Sequence, residues 1–217
     1  MDDWRARYWQ GKLAASREAL ESRGFDAFVV GDRNQARRLV IEEILPGTGA
    51  KTVSWGDSMT LHATGILDIL LTSTELSVVK TFEAGIPRAE IIERRRRALL
   101  VDFFITGTNA VTESGELVNL DMVGNRAAAI TFGPKTVVIV IGRNKIVPDV
   151  AAAMSRIKDY SAPINAIRHE FKTPCARTSR CADCKSGQRL CNTWTITKGS
   201  FPKGRIKVIL INEDLGL

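Results

Sequence analysis

The sequence predicts an α/β fold in which helices cover both faces of a mostly parallel sheet. Short apolar segments with the length of buried strands alternate along the chain with longer segments of helical periodicity. The most apolar of these strands are KTVVIVIG at 135–142 and RIKVILIN at 205–212. A strand, a helix and a second strand form a right-handed crossover, which makes the two strands parallel and covers the sheet on each side.

Caps, glycines and prolines set the predicted limits of each element. The first predicted elements are a helix over 2–23 ended by Gly24, a strand over 26–30, a helix capped by Asp32 and ended near Leu45 by Pro46-Gly47, and a strand over 51–55. There follow a helix beginning near Ser58 or Thr60, a strand over 78–82, a helix over 87–100 with Pro87 near its first turn, and a strand over 101–106. The last are a strand over 116–121, a helix over 125–132, a strand over 135–142, a helix opened by Pro148 and running from about Asp149 to Tyr160, an irregular region as far as the cysteines, and strands over 193–197 and 205–212.

Composition indicates one domain of an ordinary globular protein. A chain of 217 residues, 44% hydrophobic and 25% charged, buries a core without disulfide staples. We expect residues 1–24 to form a helix packed on the domain, and residues 25–217 to form the α/β domain with a Cys-rich loop at 173–192. No apolar run approaches the ~18 residues of a membrane span. The start, MDDWRARYWQGK, lacks the pattern of a secretory signal, which favours a cytoplasmic protein.

The net charge of +7 permits an anionic partner but does not require one. The most basic run, RRRR at 94–97, points around the whole circumference of a helix and forms no single anion-binding face. Glu90 and Glu93 lie four residues before Arg94 and Arg97, which is the spacing of ion pairs on a helix surface. We therefore do not expect a nucleic-acid partner.

Two polar segments are candidate ligand sites, because ligands of open α/β sheets bind beyond the carboxyl ends of the strands. The Gly-Asp-Ser turn after the strand at 51–55 places hydroxyls and backbone N–H groups at a helix start, which suits an anion. Ser and Thr also cap helices that bind nothing. The second segment, TGTNAVTESGELVNLDMVGNRAA, spans 106–128. The candidate ligand-binding residues are Gly56, Ser58, Thr60, Thr106, Asn109, Asn119, Asn125 and Arg126, and the candidate catalytic residues are Glu113, Asp121 and Asn109.

The two histidines lie beside candidate sites. His62 is one turn into the helix after the Gly-Asp-Ser turn, and His169 closely precedes the cysteines. Neither has a Ser, Cys or Asp nearby in sequence that is arranged with it as a nucleophile and base. An isolated histidine is more often packed or solvated than catalytic.

All 4 cysteines fall within CARTSRCADCKSGQRLC at 175–191, with the spacing C-x5-C-x2-C-x6-C. Zinc sites usually combine two C-x2-C pairs, and only one is present. Iron–sulfur clusters accept irregular spacing around one such pair, so the spacing favours a [4Fe–4S] cluster. Zinc, and cysteines without metal that are reduced or paired in disulfides, stay open as alternatives. The proposed ligands are Cys175, Cys181, Cys184 and Cys191, and the basic residues between them, which would offset the thiolate charge, are Arg177, Arg180, Lys185 and Arg189.

Several motifs together resemble the LUD-domain family, the lactate-utilization proteins formerly classed as a domain of unknown function. The likeness covers the chain from about Gly24 and runs through GDSMTL, TGTNAVTESGELVNLDMVGNRAAAITFGPK, GRNKIVPD, TPCARTSRCADCKSGQRLCN and RIKVILINEDLGL. It implies a fold similar to the superfamily of ribose-5-phosphate isomerase, glucosamine-6-phosphate deaminase and the CoA transferases. It also implies that the turn at 55–60 holds a phosphate or a carboxylate.

The same resemblance argues against the chemistry of those enzymes. Related isomerases carry a motif like TGADR, whose Asp is an acid and base. Here the run is TGTNA, so the position is Asn109, an amide that cannot exchange protons near neutral pH. A CoA transferase needs a nucleophilic Glu at a strand end, whereas Glu113 lies in a Ser/Gly turn.

The resemblance implies a role in the oxidation of lactate or a similar organic acid, beside redox partner proteins that carry iron–sulfur clusters. LUD proteins that consist of the bare domain often lack cysteine ligands, so the four cysteines suggest a subgroup with its own centre. Two alternatives stay open. One is an enzyme whose substrate, a small anionic ligand, is phosphorylated or CoA-linked. The other is a binding module whose fold is held together by a structural zinc ion.

Overall fold

Strands and helices alternate along residues 3–217, which the computed structural model of the chain describes. The strands are β1 (Asp26–Val30), β2 (Thr52–Trp55), β3 (Ser77–Val78), β4 (Phe103–Gly107), β5 (Ala110–Thr112), β6 (Leu117–Asp121), β7 (Thr136–Gly142), β8 (Ile146–Val147), β9 (Thr193–Thr197) and β10 (Ile206–Ile211). The α-helices are α1 (Trp4–Ser22), α2 (Arg33–Arg38), α3 (Leu45–Thr48), α4 (Met59–Thr64), α5 (Ile66–Thr72), α6 (Arg88–Arg97), α7 (Asn125–Thr131), α8 (Val150–Arg156), α9 (Ala162–Arg168) and α10 (Pro174–Thr178). Residue 2, where the sequence predicts the first helix to begin, lies outside the described range.

Six strands form one parallel sheet in the order β1-β10-β7-β4-β2-β3. Side chains alternate between the two faces of each strand. Val137 and Ile139 of β7 therefore join a core covered by α1 and α7, whereas Val138 and Val140 join a core covered by α2, α4 and α5. The predicted fold class, a mostly parallel sheet with helices on both faces, is confirmed. No helix within residues 3–217 is both long and apolar enough to cross a bilayer.

A second, smaller sheet has the order β8-β5-β6-β9 and was not predicted. Strands β5 and β6 form an antiparallel hairpin inside the polar segment at 106–128, and β9 pairs antiparallel with β6. Val111 and Leu117 of the hairpin pack into the core under α1. Ala110, Val118 and Leu120 pack instead with α8. The hairpin thus places the polar segment between the two sheets.

Two predicted helices are longer than expected, and for the same reason. Helix α2 continues through a π-helical segment, Leu39–Ile44, into α3, and α8 continues through Ile157–Ser161 into α9. Pro46 and Pro163 each fall in the first turn after the π segment, where a missing N–H costs least. The predicted ends near Leu45 and Tyr160 were therefore wrong. Gly49, with φ of 63°, ends the first of these helices.

Of the predicted strand over 78–82, only the first residue, Val78, lies in a strand, and the rest of the prediction was wrong. Strand β3 comprises only Ser77–Val78, at the edge of the large sheet. Its neighbour β2 ends at Trp55, whose carbonyl accepts a hydrogen bond from the Thr81 hydroxyl at 3.0 Å. Val78 pairs with Val53, so the chain leaves the sheet two residues before β2 ends.

Asp102 joins β2 to the start of β4. Its carboxylate pairs with Lys135 at 2.8 Å and accepts hydrogen bonds from the hydroxyl and the backbone N–H of Thr52 at 2.8 and 3.0 Å. These contacts, with the Lys135 bond first, hold the pKa of Asp102 well below its ordinary value of 3.8. Because the folded state favours the carboxylate, the stabilisation is complete above the ordinary pKa and is lost as the pH falls below it.

Substitution of Asp102 by Asn should therefore destabilise the protein at pH 7 and matter less in acid. We expect the difference in urea midpoint between wild type and Asp102→Asn to shrink as the pH falls from about 4 to about 3. Asp159→Asn is the matched control, since the exposed Asp159 side chain has no hydrogen bond within the described part of the chain. A difference for Asp102→Asn that stays constant with pH would contradict this account.

Candidate functional site

A pocket of about 430 Å³ opens beyond the carboxyl ends of β2, β4 and β7. Asp57 and Ser58 line it after β2, Thr108 and Asn109 after β4, and Lys145 after β7. Helix α9 and the residues that follow it close the opposite wall. This is the edge of the sheet at which the sequence predicts a ligand.

Arg126 organises the floor of this pocket. Its guanidinium donates to Asp121 Oδ1 at 3.0 Å from Nε, to Asn119 Oδ1 at 2.9 Å and to Asn109 Oδ1 at 2.7 Å. Asp121 Oδ2 accepts the backbone N–H of Ala127 at 2.8 Å. The Arg126 and Asp121 side chains are only 13% and 7% exposed, so this ion pair is largely removed from water. The predicted catalytic candidates Asp121 and Asn109 are thereby bound to a cation.

Two glycines let the strand ends approach the Gly-Asp-Ser turn. A Cβ on Gly107 would lie 2.3 Å from the Ser58 Oγ, and a Cβ on Gly56 would lie 2.6 Å from the Thr106 Oγ1. Both distances are far inside van der Waals contact. The turn at 56–58 therefore packs directly against the end of β4.

The residues predicted to bind ligand divide into two groups. Ser58, Asn109, Asn125 and Arg126 line the pocket, as does Asp121. Among the others, Thr60 donates to the Leu215 carbonyl at 3.1 Å, and Glu113 pairs with Lys12 at 2.9 Å away from the pocket. The residues outside the pocket lining are Gly56, Thr60, Thr106, Glu113 and Asn119.

The Ser58 hydroxyl already has a structural partner. It accepts the backbone N–H of Leu61 at 3.2 Å and so caps α4, which is only six residues long. With Thr60 committed to Leu215, the predicted cradle offers few free donors to an anion. Its hydroxyls act mainly in the structure of the turn.

Both histidines of the chain lie close to the Asp57 carboxylate at the mouth of the pocket. His62 Nε2 lies 3.5 Å from Asp57 Oδ1, His169 Nε2 lies 3.4 Å from Asp57 Oδ2, and Arg168 forms an ion pair with the same carboxylate. Burial raises the pKa of Asp57, but the Arg168 hydrogen bond and the three basic neighbours outweigh it, so the pKa lies below its ordinary value. Sequence reasoning placed each histidine beside a site and did not predict that they meet.

Besides Arg168, two further cations of the pocket were missed by the sequence reasoning. Arg95, from the basic run of α6, stacks on the Phe82 ring at 5.1 Å, and its buried Nε has no hydrogen-bond partner within residues 3–217. Of the two predicted surface ion pairs beside it, Arg94 bonds Glu90 at 3.0 Å, whereas Glu93 pairs with Arg96 instead of Arg97, and Arg97 pairs with Glu90. Lys145 is 4% exposed and donates to the Thr108 carbonyl at 3.3 Å. Burial first, and then Arg156 and Arg126, lower the pKa of Lys145 to about 7.

The four cysteines line one separate small cavity, of about 80 Å³. All four thiols are free and half-buried. Arg189 organises the segment, since it donates to the Cys184 carbonyl at 2.8 Å and to the Cys191 carbonyl at 2.7 Å. Of the basic residues predicted to offset the thiolate charge, only Arg189 lines the cavity, and Lys158 of the long α8–α9 helix joins it.

The side chains that line the cysteine cavity do not converge on a single point. In the described part of the chain, no three His, Cys, Asp or Glu side chains are close enough together to hold one metal ion. Four thiolates on one zinc ion would each lie about 2.3 Å from it. The cavity has several times the roughly 10–15 Å³ that a single water needs. The arrangement therefore has room for a group larger than one bare ion.

The cavity lies beside the larger pocket. Leu120 of β6 and Ala162 of α9 line both, so one layer of side chains separates them. The cysteine segment is also tied to β6, because Asn192 donates its backbone N–H to the Asp121 carbonyl at 3.1 Å and its side chain to the Met122 carbonyl at 2.9 Å.

Comparison with known proteins gives one family and several solved structures, of which two are described. The sequence profile of the LUD domain matches residues 13–211, a range that includes both sheets and all four cysteines. A DUF162 family protein from Deinococcus radiodurans is 17% identical, with a TM-score of 0.49 over 94% of this chain and 98% of that one. The protein eIF2B delta from Chaetomium thermophilum is 16% identical, with a TM-score of 0.31 over 62% of this chain and 48% of that one. No curated protein is significantly similar in sequence.

Proposed function

Because the chain belongs to the LUD-domain, or lactate-utilization, family, we propose that it supports the oxidation of lactate or a similar organic acid. An iron–sulfur centre with Cys175, Cys181, Cys184 and Cys191 as its ligands carries the electrons of this oxidation. The chain exchanges electrons through this centre with redox partner proteins of the same oxidation system. A reducing compartment such as the cytoplasm suits the proposal, since it keeps the four thiols available as ligands.

One observation supports the centre above all others. The four cysteines, Cys175 to Cys191 over 17 residues of sequence, line a common cavity and form no disulfide. Four thiolates are the usual ligand set of a [4Fe–4S] cluster.

The spacing of the cysteines favours a cluster over zinc, because the sequence has only one C-x2-C pair where zinc sites usually combine two. A cubane cluster holds its four ligands farther apart than a tetrahedral zinc ion does. When bound, such a cluster would accept and release single electrons.

The chain's own residues give the site its charge and its apolar lining. Arg189 brings positive charge to a centre that four thiolates make negative, whereas the charge of Lys158 is offset by its ion pair with Asp183, which lines the same cavity. Leu120 and Trp194 give the cavity apolar lining. The cysteines themselves are half-exposed, which leaves the outer side within reach of a partner protein.

Anaerobic purification tests the proposal directly. We expect a brown protein with about four iron atoms and about four acid-labile sulfides per chain. A colourless protein with one zinc per chain would overturn the centre. For the physiological role, loss of the gene should impair growth on lactate, and the wild-type chain should restore growth where Cys184→Ala does not.

A further inference from the structure

We infer that the 430 Å³ pocket binds the carboxylate of a small organic acid, and that Lys145 is the buried cation that pairs with it. The inference rests on the proposed function for the kind of acid. The pocket itself contains none of the four cysteines, so its ligand can be tested separately from the iron–sulfur centre.

Lys145 is buried without a counter-charge among the described residues. The side chain is 96% buried, at the end of the short turn Arg143–Lys145 that follows β7. Its one hydrogen bond goes to the Thr108 carbonyl at 3.3 Å, and no carboxylate within residues 3–217 pairs with it. Lysine is almost never fully buried without a counter-charge. Since Lys145 lines the pocket, an anion can reach it from solvent.

The surrounding charges leave the pocket positive. Arg126 and Arg156 are the charged groups that act on Lys145, and both are cations. The two carboxylates of the lining, Asp57 and Asp121, are already paired with Arg168 and Arg126. Arg95 adds a further cation whose Nε has no acceptor among the described residues. Counted by side chains, the lining has four cations and two carboxylates. The cations are Arg95, Arg126, Lys145 and Arg168, and the carboxylates are Asp57 and Asp121.

The polar and apolar parts of the pocket favour a carboxylate over a phosphate. A phosphate needs several convergent donors, and Thr60 already gives its hydroxyl proton to the Leu215 carbonyl, which leaves of the two hydroxyls only that of Ser58, whose Oγ accepts from the Leu61 N–H, free to donate. One buried ammonium matches the single charge of a carboxylate. Leu120, Met122 and Ile157 line the same pocket and can cover the carbon chain of a small acid.

Binding should be linked to protonation. In the empty pocket the pKa of Lys145 is lowered to about 7 by burial, Arg156 and Arg126. A bound carboxylate favours the ammonium form, so the ligand raises this pKa and takes up a proton near neutral pH. Affinity is therefore highest below pH 7 and falls as the pH rises above it.

Calorimetric titration of the full chain with L-lactate, pyruvate and inorganic phosphate tests the inference. We expect wild type to bind the carboxylates, to bind them more weakly as the pH is raised from 6 to 8.5, and to prefer them to phosphate. Lys145→Met, which keeps the length but not the charge, should bind them about tenfold or more weakly and lose the pH dependence. Lys80→Met, at an exposed lysine outside the pocket, should bind like wild type.

Three results would overturn the inference: no carboxylate binding at millimolar concentration, a preference for phosphate, or unchanged and still pH-dependent binding by Lys145→Met. Thermal melting of Lys145→Met shows that the variant is folded, and removal of a buried unpaired charge should not lower its melting temperature. Iron content separates the two proposals. Carboxylate binding by a protein that holds no cluster would leave this site in place and refute the proposed centre.

Discussion

Replacing Asp121 by alanine should lower the free energy of unfolding by about 3 kcal/mol, because it leaves a buried guanidinium without its counter-charge. Arg126 donates to Asp121 Oδ1 at 3.0 Å, and the Arg126 side chain is only 13% exposed. The amide oxygens of Asn109 and Asn119 would remain as acceptors, but neither carries a charge. Urea unfolding at pH 7, followed by circular dichroism, measures the loss.

The ion pair between Arg143 and Asp214 is the matched control for this prediction. It has the same residue types and a distance of 2.8 Å, but the Asp214 side chain is 64% exposed. Asp214→Ala should cost less than about 1 kcal/mol, as exposed pairs do. If Asp121→Ala costs no more than Asp214→Ala, the network around Arg126 does not stabilise the fold. The double variant Asp121→Ala/Arg126→Met should be less destabilised than Asp121→Ala alone.

The second large effect concerns the cysteines. Replacing any one of Cys175, Cys181, Cys184 or Cys191 by alanine should lower the iron content of anaerobically purified protein from about four per chain to well below one. All four thiols line the same cavity, so each should be required to a similar degree. Iron, sulfide and visible absorbance measured on the same samples check this.

Ser186→Ala is the control for the cysteine variants. Ser186 lies between the third and fourth cysteines, and its hydroxyl accepts only the backbone N–H of Gln188 at 3.2 Å. This variant should keep the wild-type iron content. A cysteine variant that also keeps it would remove that residue from the ligand set. All five variants should fold, because the cores of the large sheet contain no cysteine and only Cys191, half-buried, packs against the apolar cluster of the small sheet.

The large sheet could be predicted because its strands have simple physical signatures. Strand β7 is apolar on every residue after the first, since both of its faces are buried. Such runs, separated by capped helices, are typical of parallel sheets. Asp32 and Ser58, which the sequence indicates as helix caps, do cap α2 and α4.

The small sheet could not be predicted with the same means. Strands β5 and β8 have only three and two residues, so periodicity has too few positions to show. Their pairing also joins residues far apart in sequence, as Val111 joins Ile146. The two long helices were cut short because a proline ordinarily ends a helix, and no pattern in the sequence revealed the π segments that accommodate Pro46 and Pro163.

Site residues that lie within one segment of the sequence were predicted. Those that the fold brings together from distant segments were missed. Asn109, Asp121 and Arg126 lie within 18 residues and were all named. The pair of Asp57 and Arg168 spans 111 residues, and only the fold brings the two together. Lys145 looks like any surface lysine in the sequence, because its burial depends on the ends of β7 and β4 and on residues 215–217 packing around it.

The two cavities together suggest how binding and electron transfer could share one chain. Leu120 and Ala162 form a single layer between the pocket that contains Lys145 and the cavity lined by the cysteines. Asp121 anchors both, since its carboxylate holds Arg126 and its carbonyl accepts the N–H of Asn192 next to Cys191. An acid bound in the pocket would thus lie close to the proposed centre.

Electron paramagnetic resonance of anaerobically purified, dithionite-reduced protein tests the central claim most directly. A [4Fe–4S] cluster on the four cysteines predicts a signal of the reduced cluster that accounts for most of the protein and is absent from Cys184→Ala. A wild-type sample without this signal, colourless and with one zinc per chain, would contradict the claim.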